Sequence, residues 1–271
     1  MLKSKLYIYS FIIFALCACN SVDESERLLD YEPPKSDRNV LLEEFTGQYC
    51  MNCPQGSAEA KRLQESYDHK VIVVGIHAGA FADGTMYVTK AGEAYWKKFY
   101  SDGDGRGYPA AMINRSGKVS TGFQQEWSSM VASAFQIPSY VSLLMKSNYD
   151  ETDREVSITS ILKKSTSQMQ NKTKLLLMLT ESKIYDFQSM GGANYEHNHV
   201  LRGVIGDKDD EPNYWGETVE ISSIEDTEVV SKLYKLDETW KPENMNVVGV
   251  IYDADTYEVL QVEEIPVIDN K

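Results

Sequence analysis

Hydrophobic positions change their rhythm twice along the chain. Residues 6–18 (LYIYSFIIFALCA) are almost uninterrupted apolar sequence. Residues 39–136 alternate short apolar runs with helix-forming stretches. A strand is expected over 39–45 (NVLLEEF), a helix over 55–67, a strand over 70–77 (KVIVVGIH) and a helix over 90–100. A short strand over 110–115 turns through Ser116-Gly117 into 118–121, and a helix follows over 124–135. The run at 70–77 has the continuous Val/Ile composition of a parallel strand buried on both faces. Strands alternating with helices predict an α/β unit.

Beyond Pro138 the helical signal nearly vanishes. Strands are expected over 140–149, 155–163, 174–181, 195–204, 217–222, 228–236, 246–252 and 258–267, separated by turn-rich spacers such as Asp150-Glu151-Thr152-Asp153. The period of two is visible where Val156, Ile158 and Ser160 oppose Ser157, Thr159 and Ile161. About eight strands without helices predict an immunoglobulin-like β-sandwich. The expected organisation is therefore α/β over 39–136, then all-β over 138–271.

The apolar run at 6–18 follows Lys3 and Lys5 and is shorter than the roughly 20 residues a membrane span needs, so 1–18 reads as a secretory signal. Leu16-Cys17-Ala18-Cys19 resembles a bacterial lipobox. That resemblance implies cleavage before Cys19, lipid on that cysteine and membrane attachment through it. Residues 19–38 are polar and acidic with a Pro33-Pro34 break and read as a tether. Composition adds one exclusion. Lys and Arg total 27 against 41 Asp and Glu, a net charge of -14 over 271 residues, and so acidic a surface repels nucleic acid.

The chemistry concentrates at Cys50-Met51-Asn52-Cys53, between the first strand and the first helix. A helix N-terminus stabilises a thiolate, so Cys50 suits a nucleophile and Cys53, one turn on, a resolving thiol. A static staple is the other reading. Closing so short a loop stabilises by only about 2 kcal/mol, against roughly 4.7 for a hundred-residue loop, so redox chemistry is favoured. Zinc needs about four ligands, and no second cysteine pair remains once the signal is removed. Strand, aromatic Tyr49, Cys-x-x-Cys, helix and a later Tyr108-Pro109 together resemble the thioredoxin-like superfamily. The resemblance implies a cis Pro109, a peptide clamp at Tyr108-Pro109 with Tyr49 beside it, partial exposure of Cys50, and Glu44 as the buried acid that takes the proton of Cys53. Read from the residues alone, Glu44 could face solvent with Glu43 buried, or neither could be buried.

Three other clusters carry polar chemistry. His197 and His199 fall two apart on an expected strand and so on one face, but no third ligand accompanies them, and a polar rim is the preferred reading. The oxygen-rich stretches 101–105 and 207–211 lack the spacing of a calcium loop. No metal and no cofactor is expected. The tether, Glu-Glu-Phe-Thr-Gly-x-x-Cys-x-x-Cys-Pro, Tyr-Pro-Ala and His-Asn-His-Val-Leu-Arg together resemble the 28-kilodalton outer-membrane protein family of bacterial surface lipoproteins. This resemblance implies an outer-membrane, lipid-anchored location, facing the periplasm or the cell surface. Two functions stay open: thiol–disulfide exchange on protein clients, or a surface receptor or adhesin that binds a ligand through the sandwich.

Overall fold

The computed structural model describes residues 38–100, 107–164, 172–206, 212–221 and 227–269. The expected signal and the tether as far as residue 37, Cys19 included, lie outside these residues, as do the stretches 101–105 and 207–211. Among the described residues no helix is long and apolar enough to cross a membrane.

The structure is mostly β-sheet. Three strands, β1 (Val40–Thr46), β2 (Val71–His77) and β3 (Ala110–Ile113), alternate with three helices, α1 (Cys53–Ser66), α2 (Lys90–Tyr95) and α3 (Glu126–Phe135). A π-helical turn, Trp96–Tyr100, prolongs α2. Ten strands follow: β4 (Val141–Asp150), β5 (Glu155–Lys164), β6 (Thr173–Glu181), β7 (Ile184–Gln188), β8 (Gly192–His197), β9 (Val200–Val204), β10 (Glu217–Val219), β11 (Thr227–Lys235), β12 (Met245–Asp253) and β13 (Val259–Pro266). The expected return strand at 118–121 is reduced to one bridge, Ala111 to Ser120.

The expected boundary at Pro138 does not divide the sheet. One sheet runs β13-β12-β6-β9-β2-β1-β3, with β10 beside β6, and so draws strands from both sides of Pro138. The seam is Gly75 of β2 against Val200 of β9, where Gly75 N–H donates to His199 O at 2.7 Å. The edges of this sheet are also drawn together. Val259 N–H donates to Asn114 O at 2.8 Å, and Arg38 donates to Val259 O. A free-standing immunoglobulin-like sandwich over 138–271 is thereby corrected: one of its layers is completed by β1, β2 and β3. Residues 34–271 form one compact unit.

Alternation along the central strands sorts the core into three clusters. One face carries Leu41, Phe45, Ile72, Val74, Leu176, Met178, Val248 and Val250, covered by Tyr95 and Tyr100. The other face is divided. Over β1–β3, α1 and α3 bury Leu63, Trp127 and Val131 against Leu42 and Val73. Over β6 and β12, a second sheet in the order β11-β5-β4 packs Leu143, Ile158 and Leu162 against Leu177, Leu179 and Val247. That second sheet shows the expected period of two: Val156, Ile158 and Ser160 are fully buried.

Glu43 and Glu44 are adjacent on β1 and both buried, so they point to opposite faces. Glu43 forms a fully buried ion pair with Arg115 at 2.7 Å. The guanidinium sits among Tyr95, Phe99 and Tyr252, with ring centroids 5.1–5.5 Å away. Burial alone would lower the Arg115 pKa, but the Glu43 carboxylate outweighs it and raises the value.

Candidate functional site

Glu44 faces α1. β1 ends at Thr46, and the chain turns through Gly47, where a Cβ would lie 2.3 Å from Phe81 O, so that turn requires glycine. Cys50 N–H bonds Gly47 O at 3.0 Å, and α1 begins three residues later with Pro54 in its first turn. Cys50 and Cys53 are joined as a disulfide, with Cα atoms 5.4 Å apart. Tyr49 and Met51 flank it in the open, 51% and 67% exposed.

The expected exposure of Cys50 is corrected. Cys50 is 2% exposed and Cys53 1%. The turn that carries Cys50 is clamped by a β-hairpin made of β7 and β8, of which β7 has no counterpart among the expected strands. Gln188, at the end of β7, donates to Cys50 O at 2.9 Å and to Gly47 O at 3.2 Å. Ser189 N–H donates to Gln48 O at 2.8 Å, and Gln48 Nε2 donates in return to Phe187 O at 2.7 Å. Tyr87 O–H and Gln48 both donate to Asp186 on the same hairpin.

Behind the disulfide, one buried face of α1 carries Cys53, Gly56 and Ala60. The Tyr108–Pro109 peptide is cis. Pro109 lies so close to α1 that a Cβ on residue 56 would fall 2.5 Å from the Pro109 Cβ. The same virtual atom lies 3.2 Å from Glu44 Oε1, which places the carboxyl one helical turn from Cys53. Glu44 accepts from the Ser57 hydroxyl, with oxygen separations of 2.9 and 3.2 Å. Burial pushes its pKa from 4.5 up to about 8, and the Ser57 bond recovers only part of that rise. The Tyr108 side chain turns into the core and donates to Ala78 O at 2.8 Å.

A cavity of about 590 Å³ separates α1 from the hairpin, at the C-terminal ends of the parallel strands β1 and β2. Glu44, Ser57, Lys61, His77, Tyr195 and His197 are on its walls. The expected strand over 195–204 is broken, because His199 adopts a left-handed φ of 56° between β8 and β9. His197 and His199 therefore do not share a strand face, which corrects that expectation. His197 meets His77 edge to face, centroids 5.8 Å apart, while His199 N–H bonds Ser182 Oγ. Burial holds His77 and His199 neutral, with pKa values lowered to about 3 and about 4. Among the described residues, no group of three His, Cys, Asp or Glu is placed to hold a metal ion.

The chain belongs to the family described as outer membrane protein Omp28, whose model matches residues 96–271. The match begins after Cys50 and Cys53. The family is described as one of outer-membrane proteins, so the chain is an outer-membrane protein. Among solved structures, the chain is similar to HBP35 of Porphyromonas gingivalis, with a TM-score of 0.70 at 16% identity over 85% of this chain and 76% of that one. A protein of Agrobacterium tumefaciens, AGR_C_4864, follows with a TM-score of 0.52 at 13% identity, covering 86% of this chain and 96% of that one. A domain of the outer membrane lipoprotein Omp28 from P. gingivalis is 20% identical over 48% of this chain and 88% of that one, with a TM-score of 0.36. At these identities the likeness speaks to fold alone. No curated protein matches the chain.

Proposed function

We propose that this outer-membrane lipoprotein, anchored through Cys19, exchanges disulfides with proteins through Cys50 and Cys53 on a thioredoxin-like half spanning residues 39–136. Glu44 carries the proposal. It is fully buried, forms no ion pair among the described residues, is protonated at neutral pH, and is set one helical turn from Cys53. A static staple has no use for a buried carboxyl, which destabilises the fold as soon as it ionises. Exchange does have a use for it. Cys53 must lose a proton to attack, and a group titrating near pH 8 takes and returns that proton readily. The strand order β2-β1-β3, with β1 and β2 parallel and β3 antiparallel, supports the thioredoxin-like reading. So does Pro109 packed over the start of α1.

In this reading Cys50 is the nucleophile, Cys53 the resolving thiol, and the backbone beside Tyr108-Pro109, with Tyr49 at the rim, the contact for an extended client. The test is covalent trapping. Cys53→Ser is expected to hold clients on Cys50 as mixed disulfides, and Cys50→Ser to hold none. If neither variant forms adducts, and reduced Cys50 alkylates no faster than an ordinary thiol at neutral pH, exchange is refuted. One observation favours a second reading, a non-catalytic receptor or adhesin on this scaffold: the 2% exposure of Cys50 under the hairpin clamp. Failed trapping selects it.

A further inference from the structure

We propose that Ser57 and Tyr195 form a proton relay between buried Glu44 and solvent, with Tyr195 supplied by the hairpin across the cavity. The proposal rests on the exchange reading above and assigns residues outside the Cys-x-x-Cys motif to it.

A buried acid that serves a thiol has to exchange protons with water as well, or it works once. Glu44 is fully buried, and its polar contact is the Ser57 hydroxyl, 2.9 Å from Oε1. Ser57 is on the exposed side of that contact, on the wall of the 590 Å³ cavity. Tyr195 comes from β8, on the opposite wall. It shares the cavity lining with Ser57 and Glu44, and its ionisation is coupled to both. Burial raises the Tyr195 pKa, so the phenol stays protonated through the neutral range and passes a proton by hydrogen-bond exchange without ionising. Each link is a hydroxyl, which both donates and accepts, so the chain conducts either way.

The other titratable groups on these walls fit the route poorly. Lys61 of α1 lines the cavity without a hydrogen bond to Glu44 or Ser57, and Glu196 of β8 is bonded by Tyr185 and Asn198 instead. His77 of β2 is neutral down to about pH 3, and His199 down to about pH 4. His197 is engaged with Phe187 O.

The balanced step begins with a client joined to Cys50 as a mixed disulfide and Cys53 as a thiol. Glu44 first loses its own proton through the relay, and the carboxylate so formed takes the Cys53 proton. The thiolate attacks Cys50 Sγ, the Cys50–Cys53 bond forms, and the bond to the client breaks. The client leaves as a thiolate and is protonated by water. Glu44 passes its proton through Ser57 and Tyr195 to the cavity water, which restores the carboxylate. Cys50 and Cys53 are oxidised by two electrons, and the client disulfide is reduced by two.

The test uses the reduced full-length protein and the aromatic disulfide DTNB. Its thionitrobenzoate chromophore is released once when Cys50 attacks and again when Cys53 resolves the adduct. Tyr195→Phe and Ser57→Ala are expected to slow the second release by about tenfold, a modest share of what general acid–base groups contribute, and to move its pH midpoint. The first release should keep its rate, and Ser57→Thr, which retains the hydroxyl, should restore the second. Two releases that Tyr195→Phe leaves unchanged in rate and pH midpoint overturn the relay and leave the exchange reading standing. No release from the unsubstituted protein overturns both.

Discussion

Replacing Glu44 by Gln isolates the energetic cost of the buried acid. In the folded protein its pKa is about 8, against 4.5 for the free side chain. Between those values the folded state holds a proton that the unfolded state has lost. Stability therefore falls as pH rises through that window and levels off above pH 8. At about 1.4 kcal/mol per pH step, the loss attributable to Glu44 is roughly 3.5 kcal/mol by pH 7 and roughly 5 kcal/mol above pH 8. These are large fractions of the 5–15 kcal/mol typical of a folded domain. Gln has nearly the same shape, still pairs with Ser57 and carries no charge at any pH. The assay is urea unfolding of the disulfide-bonded protein from about pH 5 to pH 9, read as the difference between Glu44→Gln and the parent. The difference cancels other titrating groups. The variant should gain steadily on the parent across the window, by several kcal/mol in total. Parallel stability curves would show that Glu44 ionises freely inside the fold. The case for it as a proton carrier, and the exchange reading built on it, would then fail.

Further outcomes follow from the same structure. Arg115→Met leaves Glu43 buried without its partner and should cost about 3–5 kcal/mol in urea unfolding, part of which Glu43→Gln in the same chain should recover. A loss below about 1 kcal/mol would mean that water reaches the pair. Gly56→Ala drives a methyl into Pro109 and should cost about 1–3 kcal/mol, and an unchanged melting temperature would contradict that packing. His77, held neutral down to about pH 3, should make stability fall as pH drops from 6.5 toward that value, and His77→Gln should flatten this acid limb in the same titration. Cys19→Ala should abolish partition into detergent and the mass of attached acyl chains. Unchanged partition and mass would refute anchoring at that residue.

What the sequence determined by itself was local. The helix at 55–67 and the strand at 70–77 were legible because composition and apolar period act within one element, and α1 and β2 lie within a residue or two of those bounds. Cys50 and Cys53 were legible as a pair between a strand and a helix, whereas Glu44 and Pro109 stood out only through the resemblance to the thioredoxin-like superfamily. The two acids of β1 were legible as a pair but not as two fates. Alternation says only that they face opposite ways. Whether each side holds an aromatic-lined Arg115 or the Ser57 hydroxyl depends on segments 13 to 72 residues away. Tertiary structure alone decided the rest. The apolar runs of β2 and β9 carry no mark of their pairing, since backbone hydrogen bonds take any side chain, so a chain that changes pattern at Pro138 still shares one sheet. The break at His199 is one left-handed residue, invisible in a run of strand-like polarity. β7 is short and half exposed, with too little apolar period to announce itself, yet its Gln188 is bonded to Cys50 across 138 residues. Burial of Cys50 follows from that contact, and a contact so distant in sequence forms only once the whole fold brings the hairpin over the turn.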